Sequence, residues 1–133
     1  MRRAQPERAL HNAVAAFLRV ALPEDDKPGS PVWTTVGHGG GGKVRGAQLK
    51  AMGVRPGWPD VQILYPYGQW PFIGIELKAT RGRLSDEQIK CHARIRRAGG
   101  EVIVCRSVEE VETALRIRGV ALKATTGAIH DAA

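Results

Sequence analysis

Asp60, Glu76 and Lys78 are the residues of this chain best suited to chemistry. Asp60 closes the step Trp58-Pro59-Asp60, and sixteen positions on comes Glu76-Leu77-Lys78. Two convergent carboxylates with open positions beside them suit Mg²⁺ or Mn²⁺, cations that take oxygen ligands and keep several waters. Phosphodiester hydrolysis needs a nucleophilic water, an electrophile on the phosphate and relief of charge on the leaving oxygen, and a cation beside a lysine supplies the first two. Lys78 would orient or deprotonate the attacking water and steady the charge that builds on phosphorus. Glu-x-Lys is also an ordinary ion pair on surface strands, so the three letters alone leave both readings open.

For these groups to meet, they must lie on adjoining strands. Phe72 to Lys78 alternates, with Ile73, Ile75 and Leu77 on one face and Gly74, Glu76 and Lys78 on the other. A strand over Asp60 to Tyr65 precedes it, and Tyr65-Pro66-Tyr67-Gly68 reads as the hairpin connection. Upstream, Leu10, Val14, Phe17, Leu18 and Ala21 trace one face of a helix that starts at Pro6 and ends near Pro23. Val32 to Val36 reads as a short strand, and a short helix is expected over Ala47 to Met52, stopped by Gly53. Ser85-Asp86-Glu87-Gln88 fits a capping box, opening a helix with Ile89, Ile95 and Ala98 apolar and Gly99-Gly100 closing it. A strand over Glu101 to Arg106 follows. Ser107 and Glu110 repeat the capping pattern for a last helix with Val108, Val111 and Leu115 inward. This order predicts a mixed α/β sheet flanked by helices.

With 133 residues, 43% hydrophobic and 25% charged, the chain has the balance of one domain with one core. A formal charge of +7 favours a polyanionic partner through counterion release, although charge alone also serves solubility. No apolar run is long enough to span a membrane, and the charged start does not resemble a secretory signal. Cys91 and Cys105 lack the spacing of a zinc site and read as reduced thiols, so a cytoplasmic location is expected. His92 beside Cys91 is read as structural, because adjacent helical side chains diverge. The run Gly37-His38-Gly39-Gly40-Gly41-Gly42-Lys43 lacks the Ser/Thr and the glycine spacing of a P-loop, which argues against a nucleotide cofactor. A flexible flap over DNA suits this run better. Trp33, Trp58 and Trp70 are expected in the core or an interface before any role in base stacking.

Three segments in order, Lys50 to Asp60, Ile75 to Lys78 and Gly82 to Gln88, resemble the virus-type replication-repair nuclease (VRR-NUC) branch of the PD-(D/E)xK superfamily. The resemblance spans roughly residues 5 to 115. It implies a restriction-endonuclease-like core within one domain over residues 1–120; the sequence leaves 121–133 as a tail, open to being flexible or forming an interface. The resemblance further implies a Mg²⁺ or Mn²⁺ centre on Asp60, Glu76 and the Leu77 carbonyl. Glu7 would be a third acid reaching the metal or its waters, and Gln88 a polar residue beside the site. Glu7 is equally at home in a helix's first turn, and Gln88 in a capping box. Lys43, Arg45, Lys50, Arg55, Arg81 and Arg83 are candidates for phosphate contacts, which position DNA without reading its sequence.

By the same resemblance, the expected activity is a structure-selective endonuclease on branched, flapped or four-way-junction DNA, working as a homodimer that offers two centres to two strands. One alternative is a non-catalytic basic module that recruits DNA to a larger complex. Another is a nuclease acting on RNA or a restriction-like enzyme.

Overall fold

The computed structural model describes residues 4–36 and 42–127. The element order is α1 (Ala4–Ala21), β1 (Val32–Thr35), α2 (Gly42–Ala51), β2 (Val61–Leu64), β3 (Phe72–Leu77), α3 (Asp86–Arg97), β4 (Glu101–Cys105) and α4 (Val108–Ile117). The four strands form one sheet in the order β1-β2-β3-β4. The first two pairings are antiparallel and β3 pairs with β4 in parallel, so the mixed α/β architecture expected from the sequence is present.

Alternation along β3 sorts its side chains between two layers. Ile73, Ile75 and Leu77 pack with Val14, Phe17, Leu18 and Ala21 of α1 and Val111 and Leu115 of α4 in the main core. The opposite face meets α3, whose Cys91 and Ile95 cluster with Val102, Trp58 and Phe72. Both faces of β3 are therefore covered, and Ile73 through Leu77 are all buried. That burial gives Glu76 protein neighbours on all sides except the sheet end.

The helices follow local chemistry. Ser85 caps α3 in a full capping box with Gln88, and the Ser107 hydroxyl caps α4 by accepting from the Glu110 N–H. The Glu110 carboxylate turns to the Arg106 N–H at 2.9 Å. The inward stripe of α3 differs from expectation. Ile95 is buried, but Ile89 is half exposed and Ala98 is the exposed C-cap, while Cys91 and His92 face inward. Residues six apart lie about 120° apart around a helix, so Ile89 and Ile95 do not share a face.

The second helix begins at Gly42, five residues before the expected Ala47, because Lys43 and Arg45 are good helix formers that carry it through Gly46. Between Val44 and Ala51 only Leu49 is half-buried. Residues 37–41 of the glycine-rich run, and hence most of the expected flap, lie outside the described residues. Trp33 and Trp70 pack against the main core, and Trp58 meets Phe72 with ring centroids 5.8 Å apart. Past α4, Val120 is buried, the Lys123 N–H donates to the Ala21 carbonyl, and Thr126 donates to Glu112 from its N–H and hydroxyl. The tail's residues 128–133 lie outside the described residues.

Candidate active site

Two close backbone approaches set the position of Asp60. A Cβ on Gly74 would come within 2.7 Å of the Pro59 ring, so the glycine lets Pro59 lie flat on β3. Gly57, at φ +81°, passes so near the start of α3 that a Cβ would meet the Glu87 carbonyl at 2.4 Å. Asp60 then enters β2 one residue before the ladder. Its carbonyl accepts from the Val36 N–H at 2.8 Å, and its Oδ2 accepts from the Leu77 N–H at 2.7 Å. Because Val61 pairs with Ile75, the same register puts Asp60 opposite Glu76. The Lys78 N–H donates to the Cys105 carbonyl at 3.0 Å, which continues the parallel ladder beyond Leu77.

A cleft of about 600 Å³ opens at this end of the sheet, lined by Glu7, His11, Asp60, Glu76, Lys78 and Gln88 among others. The sequence-derived candidates Asp60, Glu76, Lys78, Glu7 and Gln88 thus share one cavity, together with Leu77. Glu76 is only 2% exposed. Burial, with the hydrogen bond and charge of Asp60, pushes its carboxyl up to about 9, and Glu7 adds to the rise while Lys78 opposes it. Two carboxyl groups are crowded where water cannot screen them. A divalent cation relieves that crowding, so the donor set fits one. Among the described residues no group of three His, Cys, Asp or Glu side chains is placed to hold a metal ion by itself.

The amide of Gln88 serves two ends at once. Its Oε1 accepts from the Ser85 N–H at 2.9 Å, closing the capping box, and its Nε2 donates to Glu76 Oε2 at 3.2 Å. Its place in the capping box therefore does not keep it from contacting Glu76.

Sequence reasoning missed two histidines. His92, 1% exposed, places Nε2 at 3.1 Å from Glu76 Oε1. Burial, followed by the charge of Arg96, lowers its pKa below the ordinary histidine value. The side chain turns to the carboxylate, while Cys91 joins the apolar cluster with Ile95. His11 Nε2 lies 3.8 Å from Asp60 Oδ1. The spacing carried a signal in both cases, since His92 follows Gln88, and His11 follows Glu7, by one helical turn.

The basic candidates sit elsewhere. Arg45, Lys50, Arg55, Arg81 and Arg83 are exposed and none lines the cleft, while the side chain of Lys43 lies outside the described residues. The cations on the cleft wall besides Lys78 are Arg8 and Arg19 of α1, which the sequence reading omitted. Arg106 was also missed. Its Nη1 donates to the carbonyls of Ala79 and Gly82 at 2.7 Å each and of Thr80 at 3.4 Å, tying down the loop that follows Lys78 and carries Arg81 and Arg83.

Comparison with known proteins agrees with this architecture. A solved structure described as a VRR_NUC domain protein superposes with a TM-score of 0.64 at 18% identity, covering 85% of this chain and 87% of its own. A second, described as a VRR_NUC domain, gives 0.53 at 17% identity, with 84% and 95% covered. These likenesses establish the fold. No curated protein matches the sequence significantly. No described helix is long and apolar enough to cross a membrane. The model of the VRR-NUC domain matches residues 42–109, just over half of the chain and including Asp60, Glu76 and Lys78. On that match the chain belongs to the VRR-NUC domain family, a family of nucleases.

Proposed function

We propose that the protein is a metal-dependent DNA nuclease, acting as a structure-selective endonuclease on branched, flapped or four-way-junction DNA. The observation that carries the reading is the buried Glu76 opposite Asp60, two residues from Lys78, in a cleft of a chain with net charge +7. Binding modules have no use for two carboxylates turned toward a polyanion, because without a cation they repel phosphate.

Asp60, Glu76 and the Leu77 carbonyl would hold Mg²⁺ or Mn²⁺, with Glu7 reaching it through water. When bound, the ion supplies Lewis-acid polarisation of a phosphate oxygen and a more acidic water. The chain's own contribution is placement. Lys78 projects into the cleft beside Glu76, where its ammonium stabilises negative charge gathering on phosphorus and orients the incoming water. A water oxygen bonds to phosphorus as one ester P–O bond breaks, leaving a phosphate monoester and a free hydroxyl. Arg8 and Arg19 flank the cleft and suit the phosphates on either side of the scissile one, while Lys43, Arg45, Lys50, Arg55, Arg81 and Arg83 suit more distant phosphates.

A two-fold dimer would present two such centres to the two strands of a junction. Cleavage of labelled linear, flapped and four-way-junction DNA, beside matched RNA, tests the substrate; light scattering of the free and DNA-bound protein tests the dimer. Preference for branched DNA by a dimer supports the reading. Equal cutting of linear duplex or of RNA overturns the substrate assignment, and salt-sensitive binding without cutting supports recruitment instead.

A further inference from the structure

We infer that His92 is a positioning residue that, together with Gln88, aims the carboxylate of Glu76 into the cleft. The inference rests on the metal-site reading above. Both residues leave the sheet-facing side of α3 one turn apart, and each takes a different oxygen of Glu76, Nε2 of His92 at 3.1 Å from Oε1 and Nε2 of Gln88 at 3.2 Å from Oε2. The ionised carboxylate that a cation requires offers about four lone-pair sites. Two donors from the α3 side use one site on each oxygen and leave the others facing the cleft and Asp60. With one donor removed, the group is free to rotate about its last torsion, and the metal-facing lone pairs lose their direction.

This positioning role also requires one tautomer. To donate to an ionised Glu76, a neutral His92 must carry its proton on Nε2. A side chain whose nitrogen reaches the Nε2 position preserves the contact, and a shorter one does not. Glutamine reaches it; asparagine matches only the Nδ1 position. The two amides are alike in polarity, so their difference isolates reach from burial.

Mn²⁺ affinity of the purified full chain, measured by electron paramagnetic resonance without DNA, provides a readout separate from activity. His92→Asn and His92→Leu should weaken Mn²⁺ binding by about 10-fold or more, in the usual range for groups that orient a metal ligand. His92→Gln should recover most of the loss, and kcat should follow the metal affinity while KM for DNA stays unchanged. Equal affinities for His92→Gln and His92→Asn, with both variants folded by thermal melting, overturn the positioning role. That contrast also stands if His92→Leu fails to fold. Glu76→Gln separates the two layers of argument: if it binds Mn²⁺ as tightly as the wild type, the metal-site reading fails and this inference falls with it.

Discussion

The two regions that the proposed function would bring to a phosphodiester substrate are built in opposite ways. Around Glu76 the contacts are directional and mostly withdrawn from water, with His92 and Gln88 reaching its two oxygens from α3 and Asp60 opposite it at the entry to β2. Around α2 the side chains from Val44 to Ala51 are exposed apart from Leu49, and no acidic residue occurs between Asp26 and Asp60. The contrast follows from the physics of each task. Ligands to a small cation must be aligned to fractions of an ångström, whereas attraction to phosphate acts over a Debye length and tolerates loose placement. The rigid wall should therefore respond to single-atom changes and the basic arm only in proportion to charge.

Gly74→Ala should produce the largest of these effects. Its Cβ would meet Pro59 at 2.7 Å, and the shift that follows moves Asp60 away from Glu76. Overpacking of this kind costs about 1–3 kcal/mol. Thermal melting should fall accordingly and Mn²⁺ binding should weaken with it; unchanged metal affinity would show that Pro59 does not set the position of Asp60.

The acidity of Glu76 makes a second, pH-dependent test. Its pKa is raised from 4.5 to about 9, so its contribution to stability is fully present below 4.5 and is lost as pH climbs toward 9. Between pH 6.5 and 9 this group is separated from the other shifted ones. The lowered His92 acts below 6.5, the lowered Glu112 below 4.5, and Cys105, raised to about 12, above 9. In EDTA the melting temperature should fall across that window, and saturating Mn²⁺ should flatten the slope. Parallel slopes with and without Mn²⁺ would place the metal elsewhere.

Arg106→Gln should have an intermediate effect. Losing charge-assisted bonds to the Ala79, Thr80 and Gly82 carbonyls costs about 1.5–3 kcal/mol. The freed loop should raise KM for DNA several-fold, through Arg81 and Arg83, more than it lowers kcat. A pure kcat defect would show that the loop acts on Lys78 instead.

Lys50→Ala and Arg55→Ala on the exposed arm should do least. Each should weaken binding alike on all DNA sequences and reduce the salt slope by about 1. A change in sequence preference would mean that the arm reads bases.

The meeting of Asp60, Glu76 and Lys78 at one end of the sheet was legible because a strand's two-residue period and one hairpin suffice to bring them together. Ser85, Gln88 and Ser107 were legible as caps for the same local reason. For His92 and His11 the one-turn spacing from Gln88 and Glu7 was a signal but not enough, because their partners depend on how α3 and α1 rotate against the sheet, which packing decides. Ile89 misled for the converse reason: an apolar residue on α3 was read as inward although its side of the helix faces solvent. Arg106 was hidden because its partners are backbone carbonyls more than twenty positions away, which side-chain types cannot announce.

The central claim is that Asp60, Glu76 and Lys78 form a metal-dependent nuclease centre. The most direct test is cleavage of a labelled four-way junction in Mg²⁺, Mn²⁺ or EDTA by the wild type beside Asp60→Ala and Lys78→Ala, with folding checked by circular dichroism. The account predicts cutting with either metal, none in EDTA, and a loss of about 100-fold or more in each variant, as expected when a charge-stabilising group is removed. Undiminished cutting in EDTA, or by either folded variant, would contradict it.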